Sequence, residues 1–181
     1  ARKIGAVNTI VITADGLLKA YNTDYAGALD AIASTLGAKV GLKNMPAAVI
    51  GAGGVARAIV AGLCDAGAKV TIYNRTAKKG EKLAAEFGCC AAPLDELRNL
   101  QASLLINCTS VGMYPDVNNS PIPRQYIKKN MAVFDTVYNP PETLLLKQAK
   151  DAGAKTISGM EMFINQACGQ FKLFTGQNGP P

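Results

Sequence analysis

The chain is 181 residues long with a formal net charge of +6, enough for one domain or for one domain and part of another. Hydrophobic residues make up 49% and aromatic ones only 6%, with no tryptophan, which suits an Ala/Val/Gly-rich α/β core. There is no histidine, which excludes Ser/His and Cys/His nucleophile pairs, His/Cys metal clusters and any dehydrogenase chemistry that uses an imidazole of these residues.

Residues 6–13 and 17–22 read as two strands joined at Ala14-Asp15-Gly16, whose Asp-Gly favours a tight hairpin. Thr23 or Asp24 caps a helix running to about residue 36, with Ala28, Leu29, Ile32 and Leu36 on one face. Residues 37–46 form a connector. Strand and helix then alternate: strand 47–50, helix 55–66, strand 69–73, helix 77–87, a short strand near 89–91 and a turn of helix at 94–99. Strand 103–108, a Pro- and Asn-rich loop at 112–123, strand 131–136, helix 142–152, strand 154–157 and a helix near 160–174 complete the pattern. Such alternation predicts a Rossmann-type α/β fold with a doubly wound parallel sheet. The hairpin before residue 23 does not belong to that sheet, and a lone hairpin is marginal in water. The expectation is therefore that the 181 residues are the carboxyl portion of something larger.

The most telling segment is Ala47-Ala48-Val49-Ile50-Gly51-Ala52-Gly53-Gly54-Val55-Ala56-Arg57. It leads an apolar strand through a glycine turn into an apolar-periodic helix, the context that gives a G-x-G-x-x-G/A match its meaning. Gly51 permits the tight turn, Gly53 lets a pyrophosphate approach the backbone, and Ala56 keeps helix and strand close. The free N–H groups at the start of that helix would hold the anion. After the next strand an NAD site usually carries Asp or Glu, which accepts from the ribose 2′-hydroxyl. Here Asn74-Arg75-Thr76 stands in that place, followed by Lys78 and Lys79. A guanidinium flanked by ammonium groups clamps a 2′-phosphate that a carboxylate would repel, so the expected cofactor is NADP.

No block of like charge and no basic stripe interleaved with aromatics argues for nucleic acid; anionic cofactor and substrate explain the charge. Cys64, Cys89, Cys90, Cys108 and Cys168 are odd in number, contain no C-x-x-C and fall mostly in apolar runs. They read as reduced thiols of an intracellular protein rather than disulfides or a metal site. The longest apolar stretch, 46–68, is broken by glycines, Arg57 and Asp65 and does not read as a membrane span. For acid–base work the best carboxylate is Asp24, where the hairpin meets the first helix, although an N-cap role would also account for it.

Gly5-Ala6-Val7-Asn8-Thr9, Asn22-Thr23-Asp24, the glycine turn and Asn74-Arg75-Thr76 occur in order, followed by Asn107-Cys108-Thr109-Ser110-Val111-Gly112-Met113, Asp135-Thr136-Val137-Tyr138-Asn139-Pro140 and Gly159-Met160-Glu161-Met162-Phe163-Ile164-Asn165-Gln166-Ala167. In these segments the chain resembles the shikimate dehydrogenase family, from residue 4 to about 175. The resemblance implies reduction of 3-dehydroshikimate to shikimate with NADPH, on the route to aromatic amino acids. It implies that Asn8, Asp24 and Gln166 hydrogen-bond the substrate hydroxyls, with Tyr138 lining the same pocket. Gly51, Ala52, Gly53, Gly54 and Val55 would cradle the pyrophosphate, and Asn74, Arg75, Thr76 and Lys79 the adenosine ribose and its 2′-phosphate. Thr109, Ser110, Met113, Thr136 and Gly159 would flank the nicotinamide.

The same resemblance divides the chain into the remnant of an amino-terminal substrate domain (1–23), a linker helix (24–45), the NADP-binding domain (46–160) and a carboxyl-terminal helix returning to the substrate cleft (161–181). The family's proton-transferring lysine, which works as a pair with the counterpart of Asp24, lies in a motif absent from these residues. The expectation is that they bind NADP but oxidise shikimate slowly or not at all alone. The family is cytoplasmic, or plastidic in plants, and in some organisms is fused to a 3-dehydroquinate dehydratase. Three alternatives remain: a quinate/shikimate dehydrogenase using NAD or NADP, a glutamyl-tRNA reductase, which shares a similar glycine loop, and a non-catalytic NADP-binding module. The combination of Asn8, Asp24 and Gln166 speaks against the last, and nothing hints at the catalytic Cys domain or the helical dimerisation segments of the reductase.

Overall fold

Asp15-Gly16 turns the chain as expected, within a shorter ladder. In the computed structural model, which describes residues 1–37 and 41–179, β1 (Thr9–Ile12) pairs antiparallel with β2 (Leu18–Tyr21). Thr13 N–H donates to Leu17 O and Gly16 N–H to Thr13 O, both at 2.9 Å, while Gly16 takes φ 78°. Glycine therefore occupies the left-handed position of a three-residue hairpin loop. Ile10, Ile12, Leu17 and Leu18 remain 56–71% exposed.

Helix α1 (Asp24–Leu36) begins after Thr23, which holds the N-cap position but makes no capping bond with its side chain. Asn22 Oδ1 instead accepts from Tyr25 N–H at 3.2 Å, and Asp24 lies in the first turn, where a carboxylate suits the positive helix end. Ala28 and Ile32 of the expected face are buried, and Leu36 packs partly buried against the same core. Residues 38–40 of the connector lie outside the described residues.

The remaining strands form one parallel sheet: β3 (Pro46–Ile50), β4 (Lys69–Asn74), β5 (Cys90–Pro93), β6 (Leu104–Asn107), β7 (Ala132–Asp135) and β8 (Lys155–Ile157), in the order β5-β4-β3-β6-β7-β8. β6 and β7 are buried throughout and β3 nearly so, the continuous apolar reading of strands covered on both faces. One face packs Val49, Ile72, Ile106 and Phe134 against Ile32 of α1 and Ile59 and Leu63 of α2 (Gly54–Asp65). The other packs Ile50, Leu105 and Val133 against Leu145 and Leu146 of α4 (Leu144–Asp151). Helix α3 (Ala77–Phe87) follows β4. Strand order reverses between β3 and β6, so a ligand crevice opens beyond their carboxyl ends.

The turn of helix at 94–99 is a 3-10 helix, and α4 starts two residues later than expected. Thr143 sets that start, because its hydroxyl oxygen accepts from Leu146 N–H at 3.3 Å and makes it the N-cap. Helix α5 (Gly159–Thr175) is capped by Ser158, whose Oγ accepts from Met160 N–H, and it crosses α1 so closely that a Cβ on Gly27 would lie 3.0 Å from Gln166 N. This contact carries α5 back to the hairpin.

Candidate active site

The glycine turn is built for a backbone that another group must approach. Gly51 has φ 113°, donates N–H to Tyr73 O at 2.8 Å, and would place a Cβ 3.0 Å from Cys108 O. Only glycine fits there. Gly53 holds the N-cap position of α2, which has no side-chain cap and no acidic residue in its first turn. A Cβ at Gly53 or Gly54 would meet nothing within 4 Å. The first N–H groups of α2 thus have no side-chain cap and carry the positive end of the helix, as an anion site requires. Ala56 is fully buried, so the third position of the motif is one of close packing.

Beside this turn lies a cavity of about 230 Å³ bounded by Gly51, Tyr73, Asn74, Arg75, Thr109 and Ser110. Asn74 Nδ2 donates to Thr76 O at 2.8 Å, closing the turn after β4 and leaving Arg75 exposed at the cavity edge. Thr76 and Lys79 do not line it. Helix α3 has no acidic residue in its first turn, which instead carries Lys78 and Lys79. Cations against the positive end of a helix repel it, an arrangement that a bound anion relieves.

A second cavity of about 210 Å³ brings together Asn8, Asp24, Tyr138 and Gln166 with Val55, Thr136 and Gly159. Residues far apart in sequence meet there because the hairpin, the start of α1, the end of β7 and α5 converge on the sheet's carboxyl edge. Asp24 is half-buried, and burial pushes its carboxyl above the usual range against the opposing hydrogen bond from the Asn8 amide. Tyr138 stacks on Phe163 with ring centroids 4.8 Å apart. Met162, Phe163 and Gln170 also line the cavity; the first two lie in the motif at 159–167, but none of the three has a site role in the sequence reading. Gln170 is legible in principle, lying one helical turn beyond Gln166 on the same face.

The group expected around the nicotinamide divides. Thr136 and Gly159 line the cavity with Asp24, whereas Thr109 and Ser110 line the one with Arg75, and Met113 lines neither and is 45% exposed. The cause is a bond that folds the chain back after β6. Asn107 Oδ1 accepts from Thr109 N–H at 3.0 Å and from Thr109 Oγ1 at 2.7 Å.

Asn107 belongs to a buried network that sequence reasoning missed. Asn107 Nδ2 donates to Asp135 Oδ1 at 3.0 Å and to Val111 O at 3.2 Å. Asp135 Oδ1 also accepts from Val137 N–H at 3.0 Å, and Oδ2 from Thr143 Oγ1 at 2.6 Å. All three side chains are fully buried, and they tie the loops after β6 and β7 to the start of α4. Burial raises the Asp135 carboxyl while its three hydrogen bonds pull the other way. Replacing Asp135 by Ala strands the Thr143 hydroxyl and the Val137 N–H, an expected loss of about 3 kcal/mol from unsatisfied buried donors. Urea denaturation of the variant measures it; an unchanged midpoint would show the network to be dispensable.

The cysteines are all free, and burial pushes Cys89 up to about 12 and Cys108 higher still, so neither offers a reactive thiolate. Among the described residues no His/Cys/Asp/Glu cluster has metal-holding geometry, and no helix is long and apolar enough to cross a membrane.

Comparison with known proteins places this geometry. The sequence model of the shikimate / quinate 5-dehydrogenase family matches residues 33–137, and that of the shikimate 5'-dehydrogenase C-terminal domain matches residues 159–181. The chain belongs to the shikimate/quinate 5-dehydrogenase family. It is 41% identical to a shikimate dehydrogenase (NADP(+)) of Methanosarcina acetivorans, over 99% of this chain and 66% of the relative. It is also 41% identical to the chloroplastic bifunctional 3-dehydroquinate dehydratase/shikimate dehydrogenase of Arabidopsis thaliana, over 99% of this chain and 32% of that protein. The Thermus thermophilus shikimate 5-dehydrogenase, solved in complex with NADP(H) and shikimate, superposes with a TM-score of 0.87 at 39% identity, over 99% of this chain and 66% of that one. The chain thus spans slightly less than two thirds of the single-function family members it matches.

Proposed function

We propose that these residues form the NADP-binding part, and one wall of the substrate cleft, of an NADP-dependent shikimate dehydrogenase interconverting 3-dehydroshikimate and shikimate. One observation carries the reading: Asn8, Asp24 and Gln166 share a cavity with Val55, in the first turn of the helix that follows the glycine turn, and with Thr136 and Gly159. Hydroxyl-binding groups therefore meet the start of the helix that the dinucleotide motif leads into. In this reading the N–H groups of Gly53 to Val55 hold the pyrophosphate, and Arg75 with Lys79 takes the 2′-phosphate. Bound NADPH supplies the hydride. Asp24 holds a substrate hydroxyl and is placed to accept or share its proton, the role its raised carboxyl suits.

No lysine lines the cavity, so the ammonium partner that the family resemblance assigns to Asp24 does not come from the described residues. The 181 residues alone are expected to bind NADP(H) and to oxidise shikimate only at a trace rate. Joined to the amino-terminal portion that the relatives carry, they are expected to be active. The test follows NADPH absorbance on both proteins with shikimate and NADP+. A joined protein that binds NADP but ignores shikimate would instead be a nucleotide-sensing module, and one that prefers quinate would belong with the other branch of the family.

Cofactor choice has its own test. Arg75→Ala removes a charged hydrogen-bond donor of about 1.5–3 kcal/mol, an expected weakening of NADP binding of roughly 10- to 100-fold with little change for NAD. Calorimetric titration with both nucleotides measures the two affinities. Equal losses for both would mean that Arg75 does not read the 2′-phosphate.

A further inference from the structure

The cleft contains a chain of hydrogen bonds whose direction is set by one backbone group. Thr23 N–H donates to Asn8 Oδ1 at 3.0 Å. A backbone N–H has only one sense, so this bond fixes which way the Asn8 amide faces. Asn8 Nδ2 must then point at Thr23 Oγ1, to which it donates at 2.9 Å. Thr23 Oγ1 accepts that bond, keeps its own proton, and donates it to Gln166 Oε1 at 3.3 Å. The same logic runs the other way from Asn8. Thr9 Oγ1 donates its one proton to Asn8 Oδ1 at 2.8 Å, so toward Gln170 it can only accept, and it does so from Nε2 at 3.1 Å. Both residues are buried, Thr9 at 3% and Thr23 at 8% exposure, so water competes poorly for either hydroxyl.

We propose that Thr23 and Thr9 are positioning residues that set the polarity of the cleft, so that Gln166 presents its amide N–H groups, and Gln170 its carbonyl oxygen, to the substrate. The inference rests on the shikimate reading above and deepens it. A polyhydroxylated ring meets a donor at Gln166 and acceptors at Gln170 and Asp24, and a ligand with the opposite pattern is rejected. A glutamine free to flip would present either group and discriminate poorly, because an unmatched buried polar group costs more than a made bond gains. Threonine suits the task because one hydroxyl accepts and donates at once while its methyl packs; a Cβ on Gly169 of α5 would lie 3.3 Å from Thr23 Cγ2.

The test uses the 181-residue chain, isotopically labelled, and the side-chain amide signals of Asn8, Gln166 and Gln170 in ¹H–¹⁵N spectra. Shikimate is expected to shift the Gln166 amide protons directly. Thr23→Val keeps the shape and removes the hydroxyl. It should move the free-state signals of Asn8 and Gln166 and weaken shikimate about tenfold, a loss of the size expected for one hydrogen bond. Thr23→Ser should restore both. Thr9→Val, on the far side of Asn8, should disturb Gln170 and leave Gln166 in place. Unchanged Gln166 signals in Thr23→Val, or no rescue by serine, would overturn the relay. If shikimate shifts no cleft amide either in the unmodified chain or in the protein joined to the amino-terminal portion, the substrate reading fails instead, while the ligand-free comparison of the variants still decides the relay.

Discussion

Gly159→Ala is expected to destabilise the chain by about 3 kcal/mol and to disorder the cleft, although helix propensity alone favours the change. Gly159 is the first residue of α5, where alanine is the better helix former by about 1 kcal/mol. Packing opposes it with more force. A Cβ there would lie 2.4 Å from Val137 O and 2.7 Å from Thr136 O, both backbone atoms that cannot swing aside like a side-chain tip. Overpacking typically costs about 1–3 kcal/mol, and rigid neighbours put this case at the upper end. The displaced parts are Thr136 and Tyr138 on one side and Phe163, Gln166 and Gln170 on the other, which face each other across the same cavity. The variant should therefore lose shikimate binding even where it remains folded. Denaturation midpoint and shikimate titration are the measurements; a variant as stable and as tight-binding as the parent would mean that α5 does not seat against the loop after β7.

The glycine turn shows why part of this site is legible in the amino-acid sequence. Gly51, Gly53 and Ala56 are required by local backbone geometry, and a strand leading into a helix is a short-range pattern, so residues 47–66 carry their own signature. The alternation that follows implies the parallel sheet for the same reason. Arg75 is readable because the end of the strand after the turn is a fixed distance from the first glycine. What stays hidden depends on contacts between distant parts of the chain. Asn107 and Asp135 are 28 residues apart and meet only because β6 and β7 are neighbours, so nothing near either residue announces the pair. Thr109 and Ser110 line the cavity with Arg75 rather than the one with Asp24 because Asn107 folds the chain back, a local turn whose consequence shows only once the neighbouring strands place the two cavities. Thr23 has the sequence of a helix cap, yet the capping bond comes from Asn22, leaving the Thr23 hydroxyl to face Gln166 across 143 residues.

Asp24 offers a test in which stability and activity move in opposite directions. Burial raises its carboxyl above the ordinary value of 3.8, so the folded chain binds that proton more readily than the unfolded one. Its contribution to stability is therefore greatest below 3.8 and falls as pH rises from there through the raised folded value. Asp24→Asn keeps the shape and removes the titration. The difference in stability between variant and parent should shift in favour of the variant across that window and stay constant above it. Taking the difference cancels the other carboxylates, including Asp135, whose carboxyl is also raised. In a protein that joins these residues to the amino-terminal portion of the relatives, the function proposed above makes Asp24 the group that shares the substrate proton, and the same substitution is expected to lower kcat by about 10²–10⁴-fold. A merely structural aspartate at the start of α1 predicts the reverse, because a carboxylate near a helix amino terminus stabilises once ionised. A parent that gains on the variant as pH rises, with kcat intact, would return Asp24 to that role. A variant at least as stable but nearly inactive would identify a carboxylate kept in the cleft for its chemistry, against the preference of the fold.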